Sequence, residues 1–287
     1  MPDLPDVIST HASYQLMGQG CVESVPIPRT TGTVHLIGAG SGDPELLTLK
    51  AWRVMQRADV VLYDSLVSED VLDMCVNTAE KIFVGKRRAN HALPQENINE
   101  LLVMHALAGK TVVRLKGGDP FIFGRGGEEL QEVVRHGIYF ESIPGITAAS
   151  AAASRAGIPL THRDCAQSVK FVTACKKQGA PNDDYSEMLD VSQTVVFYMG
   201  LHRLPEMTKG LMAAGRDSNT PFAIISHASM PTQQVLIGTL KDIADKQATA
   251  HLPTPALLIM GDVVSLYDVF TEYNIGALCQ TVEVSCV

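Results

Sequence analysis

The chain has 287 residues, of which 46% are hydrophobic and 19% charged, and its net charge is −8. Such a length and balance fit one large or two moderate domains with buried cores. The acidic balance argues against a general nucleic-acid or membrane-surface binder, because both partners are polyanions. Six cysteines, at 21, 75, 165, 175, 279 and 286, make no C-x-x-C pair, and nine histidines include no H-E-x-x-H pair. Reduced thiols in a cytoplasmic protein, and no metal, are therefore expected. No apolar segment of signal-peptide type follows Met1, and no run approaches the ~20 residues of a membrane helix.

Residues 1–30, rich in Pro, Ser, Thr and Gly without sustained periodicity, read as a loosely ordered extension. Folded sequence begins with the apolar run at 33–37, which breaks into Gly38-Ala39-Gly40-Ser41-Gly42-Asp43-Pro44. A helix is expected from Pro44 to Arg57, with Asp43 as its cap and Pro44 at its first position. Apolar runs recur at 60–63, 81–84, 112–115 and 139–143, with helical stretches at 95–107 and 128–136. Strand and helix in alternation predict a largely parallel α/β sheet. A turn at Pro144-Gly145-Ile146-Thr147 then enters a helix of small residues, which can approach a neighbour closely.

In the second half, runs rich in β-branched and apolar residues fall at 169–173, 195–199, 222–226, 235–237 and 256–260. Only 204–214 and 240–246 look helical between them. Closely spaced strands imply hairpins, so this sheet is expected to be mixed. The division predicts two α/β domains, 31–155 and 156–267, with a cofactor cleft between them and a tail at 268–287.

The densest chemistry lies at 114–129. Five glycines fall within the eleven residues from Gly117 to Gly127, beside Asp119, Arg125, Glu128 and Glu129. Glycine permits φ > 0 and lets a ligand approach the backbone, so this loop suits a polar small molecule held against main-chain groups. Gly38-x-Gly40-x-Gly42 invites a dinucleotide reading, but Asp43 occupies the third glycine position of that fingerprint. A tight strand-to-helix turn accounts for it equally. Asp64, closing the run at 60–63, is a candidate general base or the cap of the next helix. Lys86-Arg87-Arg88 are either solvated surface or part of one cationic mouth with Arg114, Lys116, Arg125, His162 and Arg163. Such a mouth would take a polycarboxylate or phosphate ligand. Met199 is core packing by default, or else touches the apolar face of a cofactor.

Seven blocks in order from Val34 to Val264 resemble uroporphyrinogen-III C-methyltransferases, within the tetrapyrrole methylase family. They are Gly38–Thr48, Tyr63-Asp64, Val84–Arg87, Arg114–Glu129, Pro144–Ala148, Gly157–Arg163 and Phe197–Gly200. The resemblance implies a homodimer of two-domain subunits that binds S-adenosylmethionine in the cleft and releases S-adenosylhomocysteine. It implies two methyl transfers to uroporphyrinogen III, at C2 and C7, giving precorrin-2 on routes to sirohaem, cobalamin and haem d1. Carried over by position, Gly117, Gly118, Asp119, Ile122, Thr147, Ala148 and Met199 resemble cofactor contacts, as do Ser41, Ala228 and Ala256. Asp64 resembles the family's proton acceptor and Lys86 its proton donor, while Arg125, Glu128 and Arg163 resemble residues at the tetrapyrrole. Arg125 stays protonated, so proton removal falls to Asp64 and charge stabilisation to Arg125. Ser41 stands where the family commonly has proline, which leaves that loop less rigid.

Uroporphyrinogen III carries eight carboxylates, so an acidic chain needs a local cationic cluster to bind it. The rival readings are a later precorrin methylase or diphthine synthase-like enzyme, a nicotinamide-dependent oxidoreductase and a non-catalytic tetrapyrrole carrier. The run from Arg114 through Glu129 favours the uroporphyrinogen enzyme among these. No dehydrogenase or ferrochelatase segment of the multifunctional sirohaem synthase type is present, which reads as a stand-alone methylase.

Overall fold

Buried parallel strands need apolar side chains on both faces, and the first half of the chain supplies them. The computed structural model describes residues 31–85, 94–174, 184–273 and 280–281. The expected extension at 1–30 and the cations at 86–88, Lys86 among them, lie outside the described residues. The order is β1 (Thr33–Gly38), α1 (Leu49–Met55), β2 (Val60–Tyr63), α2 (Glu69–Asp73), β3 (Glu80–Phe83), α3 (Gln95–Leu107), β4 (Thr111–Lys116), α4 (Gly126–Arg135) and β5 (Tyr139–Ile143). The five strands are all parallel, in the order β3-β2-β4-β1-β5. One face packs Ile37, Val61, Val113 and Leu115 against Ala51 and Met55 of α1. The other packs Val34, Val60, Leu62 and Val112 against Ile98 and Leu102 of α3 and Val133 of α4.

The expected helix from Pro44 to Arg57 is broken. Pro44–Leu46 form a single 3₁₀ turn, and Asp43 accepts a hydrogen bond from the Glu45 N–H. Leu47 and Thr48 are then extended, at ψ 143° each, and the Thr48 hydroxyl accepts from Ala51 N–H to open α1. A second capping residue thus restarts the helix. Ser68 does the same for α2, which no periodic signal marked.

The second sheet follows α5 (Ala148–Ala156). It contains β6 (Ser168–Thr173), β7 (Gln193–Tyr198), β8 (Pro221–Ser226), β9 (Gln234–Thr239), β10 (Ala256–Met260) and β11 (Gln280–Thr281), ordered β11-β9-β8-β10-β7-β6. Pairs β6–β7 and β9–β11 are parallel and the other three antiparallel, so the sheet is mixed as expected. Helices α6 (Leu204–Ala213) and α7 (Ile243–Ala250) cover one face through Leu204, Met207, Leu211 and Ile243. Helix α5 covers the other. Its Ala149, Ala152 and Ala156 pack against Val196, Ile225 and Ile259, so the last helix to leave the first sheet belongs to the core of the second. After β10 the chain stays packed, with Val263, Val264 and Tyr267 in that same core and Tyr267 opening α8 (Tyr267–Thr271).

Candidate functional site

In parallel sheets ligands gather beyond the carboxyl ends of the strands, and here four loops meet there. Gly40 and Gly118 exchange main-chain hydrogen bonds of 3.2 and 2.6 Å, joining the loops after β1 and β4. A Cβ at Gly38 would lie 2.6 Å from the Gly118 carbonyl oxygen and would also strike Gly145, so the loop after β5 closes on the same spot. Glycine is required by this three-way approach. Asp119 fastens it further, with Oδ1 accepting from Phe121 N–H at 2.9 Å and Oδ2 from Gly145 N–H at 3.1 Å. Gly118 itself has φ +68°, and the space where its Cβ would stand is bounded by Ala148 N at 3.6 Å and Thr147 Cα at 3.8 Å.

The second sheet clamps these loops from across the cleft. Ser41 and Ser229 hydroxyls bond at 2.6 Å, and Arg155 at the end of α5 pairs with Asp43 at 2.8 Å. Tyr198, at the end of β7, shares a 2.6 Å bond with the Thr147 hydroxyl and accepts from Ala149 N–H at 3.1 Å. Its ring lies 4.8 Å from that of Phe123. The tyrosine hydroxyl, not Thr147, therefore caps α5. Burial raises the Tyr198 pKa, opposed by these two hydrogen bonds. Left-handed backbone at Phe123, Arg125, Met199, His227 and Ser229 gathers in the same loops. Each such residue costs about 1–3 kcal/mol, which surrounding structure must offset, and strain of this kind concentrates at ligand sites.

A charged quartet underlies the cleft. Arg114 and Lys116 alternate along β4, so both side chains fall on the α4 side of the sheet. Glu129 in the first turn of α4 meets them, at 3.3 Å from Arg114 Nε and 2.7 Å from Lys116 Nζ. Arg114 Nη2 continues to Asp64 Oδ2 at 3.2 Å, and Asp64 Oδ1 accepts from Leu66 N–H at 3.0 Å. Asp64 thus caps the turn ahead of α2, whose own cap is Ser68. Arg114 is 3% exposed and Glu129 0%. Desolvation lowers the Lys116 pKa, joined by Arg114 and opposed by Glu129. Arg114 and Lys116 are consequently not part of an open cationic mouth. Both are buried and paired, because buried cations need counter-charges.

The sequence matches the tetrapyrrole (corrin/porphyrin) methylases over residues 33–244. The chain belongs to the tetrapyrrole methylase family. It is 61% identical over 252 residues to a siroheme synthase of Psychrobacter cryohalolentis, covering 88% of this chain and 48% of that protein. A siroheme synthase of Acinetobacter baylyi is 56% identical over 235 residues, covering 82% and 51%. The chain spans about half the length of the curated relatives it matches. Among solved structures, native uroporphyrin III C-methyl transferase from Thermus thermophilus aligns at TM-score 0.71 and 43% identity, over 82% of this chain and all of that one. The same enzyme complexed with S-adenyl homocysteine aligns at 0.71 and 42%, with the same coverage. A cobalt precorrin-4 methyltransferase of cobalamin biosynthesis aligns at 0.74 and 29%, over 84% and 99%. The two-sheet α/β fold of this tetrapyrrole methylase matches these neighbours.

Most of the family-derived positions converge on the cleft. Gly117, Gly118, Asp119, Thr147 and Ala148 surround the glycine junction, and Ser41 closes it from the β1 loop. Ile122, Ala148 and Ala228 each pack against the α5-facing core, and Met199, 52% exposed, follows Tyr198. Ala256 stands apart, packed on the opposite face of the second sheet with the α6 and α7 cluster. Arg125 and Glu128 form a two-bond ion pair at 2.7 and 3.0 Å, half-exposed at the start of α4. Arg163 is exposed on the turn closed by His162 and Ala166, and its carbonyl accepts from Gln167. Tyr198 and Ser229 were not singled out in the sequence, and Glu129 only as a charge of the glycine loop, yet each holds a named site loop or charge. Among the described residues no group of three or more His, Cys, Asp or Glu could hold a metal ion, and no helix is long and apolar enough to cross a membrane.

Proposed function

We propose that this chain transfers methyl groups from S-adenosylmethionine to C2 and C7 of uroporphyrinogen III, giving precorrin-2, as a cytoplasmic homodimer. The likeness that carries the reading is to uroporphyrin III C-methyl transferase, matched along its whole length at 43% identity. The precorrin-4 enzyme, at 29%, supports a later precorrin methylase less well.

The junction around Gly118 fits the cofactor. A side chain there would enter the space beside Ala148 N and Thr147, so only bare backbone leaves that space to a ligand. Gly117, Gly118 and Asp119 would hold it with Ser41, Ile122, Thr147, Ala148, Met199 and Ala228, while Ala256, on the far face of the second sheet, stays outside this group. Bound S-adenosylmethionine supplies a methyl group already activated on a sulfonium. What the chain must add is alignment of the pyrrole carbon and removal of a proton. Asp64, held by Arg114, accepts that proton; the donor part assigned to Lys86 rests on the family resemblance alone. Arg125 and Glu128, with Arg163, orient the substrate's carboxylate-bearing rim.

An anaerobic assay with uroporphyrinogen III and methyl-labelled S-adenosylmethionine tests the reading. Two labels per product macrocycle are expected. A chain that binds the tetrapyrrole but transfers no label is a carrier, and one that binds NADH but not S-adenosylhomocysteine is an oxidoreductase. Light scattering tests the dimer.

A further inference from the structure

We propose that Glu129, fully buried, is a positioning residue that sets the direction of Asp64 through Arg114. The inference rests on the methyltransferase reading above, in which Asp64 takes the proton.

The guanidinium of Arg114 is held at three points. Nε bonds Glu129 at 3.3 Å, Nη1 donates to the Leu115 carbonyl at 2.7 Å, and Nη2 reaches Asp64 at 3.2 Å. A planar fork fixed at two of its nitrogens has one direction left for the third. Glu129 therefore aims the bond that Asp64 receives. Its Oε1 serves as a hub, accepting also from Lys116 Nζ at 2.7 Å and from Gln95 Nε2 of α3 at 3.2 Å. Its Oε2 is buried with no hydrogen-bond partner among the described residues. Fold stability alone gives no reason for such a group, since buried ion pairs are often replaced by apolar residues without loss. The core cluster on this side of the sheet is built from Val, Leu, Ile and one Ala. Arg114 and Lys116 stand at the carboxyl end of β4, and Glu129 in the first turn of α4.

The electrostatics point the same way. Charged groups near Asp64 are Arg114 and Lys116 from β4 and Glu129 from α4, and Arg125 with Glu128 and Glu96 lies beyond Glu129. The quartet of Asp64, Arg114, Glu129 and Lys116 is neutral. Without Glu129, Arg114 would lose the partner that fixes its Nε, and Lys116 its nearest counter-charge.

The test is Glu129→Gln in the full chain, which keeps shape and removes charge. Expected are a kcat lowered roughly 10- to 100-fold, the scale of a misaligned catalytic group. KM for uroporphyrinogen III and the Kd for S-adenosylhomocysteine should stay within about twofold, so that the loss falls on kcat and not on binding. In an Asp64→Asn background the same change should have no further effect on kcat, because coupled residues act as one unit. If Glu129→Gln fails to fold, Glu129→Gln with Lys116→Met removes one charge of each sign and keeps the quartet neutral; kcat should still fall. Unchanged kcat in either folded variant, or a raised KM with kcat kept, overturns the proposal. A wild-type chain that transfers no methyl at all overturns the methyltransferase reading instead, and this inference with it.

Discussion

Replacing Tyr198 by phenylalanine isolates the clamp across the cleft. The ring stays, and with it the contacts to Phe123 at 4.8 Å and Phe171 at 5.8 Å. What is lost is one oxygen that bonds Thr147 Oγ1 at 2.6 Å and accepts from Ala149 N–H at 3.1 Å. Ala149 is fully buried, so its N–H loses its side-chain cap in a place that water does not reach. A lost bond is worth about 1 kcal/mol, and a stranded buried donor adds about 1–3 kcal/mol. The expected loss is therefore about 2–4 kcal/mol, or a fall in Tm of about 5–10 °C for a chain of this size. Thr147→Ala leaves the Ala149 bond in place and should cost less, with non-additive effects in the double variant. Urea unfolding measures the stabilities, and calorimetry with S-adenosylhomocysteine should show weaker binding, because Thr147 and Ala148 lose their anchor. A Tyr198→Phe protein as stable as wild type, binding the ligand equally well, would refute the clamp.

Asp64→Asn keeps shape and removes basicity, and kcat should fall ~10²–10⁴-fold with both ligand affinities little changed. Near-normal turnover would leave Asp64 only its structural part as cap and partner of Arg114. Gly145→Ala would place a Cβ against the Gly118 carbonyl and 2.6 Å from the Gly38 carbonyl carbon. It should destabilise by about 1–3 kcal/mol or more through overpacking, and S-adenosylhomocysteine titration of the folded fraction should show lost affinity. His35 has its pKa lowered by burial, opposed by Glu141 at 3.4 Å. Its contribution to stability is thus fully present above the unfolded value of 6.5 and is lost as pH falls through the folded one. Thermal melts from about pH 7.5 to about 5.5 should fall less steeply in His35→Gln than in wild type; parallel slopes would exclude His35 as the cause.

The parallel sheet was readable because strands covered on both faces carry unbroken apolar runs, as at Val60–Tyr63. The glycine loops were readable because Gly38, Gly118 and Gly145 answer a steric demand that no other residue meets. Local signals were less complete at α1, where Asp43 and Pro44 start a turn that Thr48 has to start again. Arg114 and Lys116 were assigned to an open mouth although their i, i+2 spacing on a strand puts them on one covered face. That spacing, read with the acid at Glu129, would have paired them. Ser41 with Ser229, and Thr147 with Tyr198, meet only through tertiary folding, and no short motif announces either partner.

The packing of α5 bears on how the protein can move. Because its alanines are seated among Val196, Ile225 and Ile259, the helix travels with the second sheet, while β5 travels with the first. Any rocking of one sheet against the other must then be taken up between them, in Pro144-Gly145-Ile146-Thr147. Gly145 is tied there to Asp119 and Thr147 to Tyr198. The pivot thus ends on Thr147 of the proposed cofactor seat and is tied through Gly145 to Asp119, another of its residues. A ligand resting on that segment would act as a brake on the joint, so opening of the molecule and release of spent cofactor become one motion.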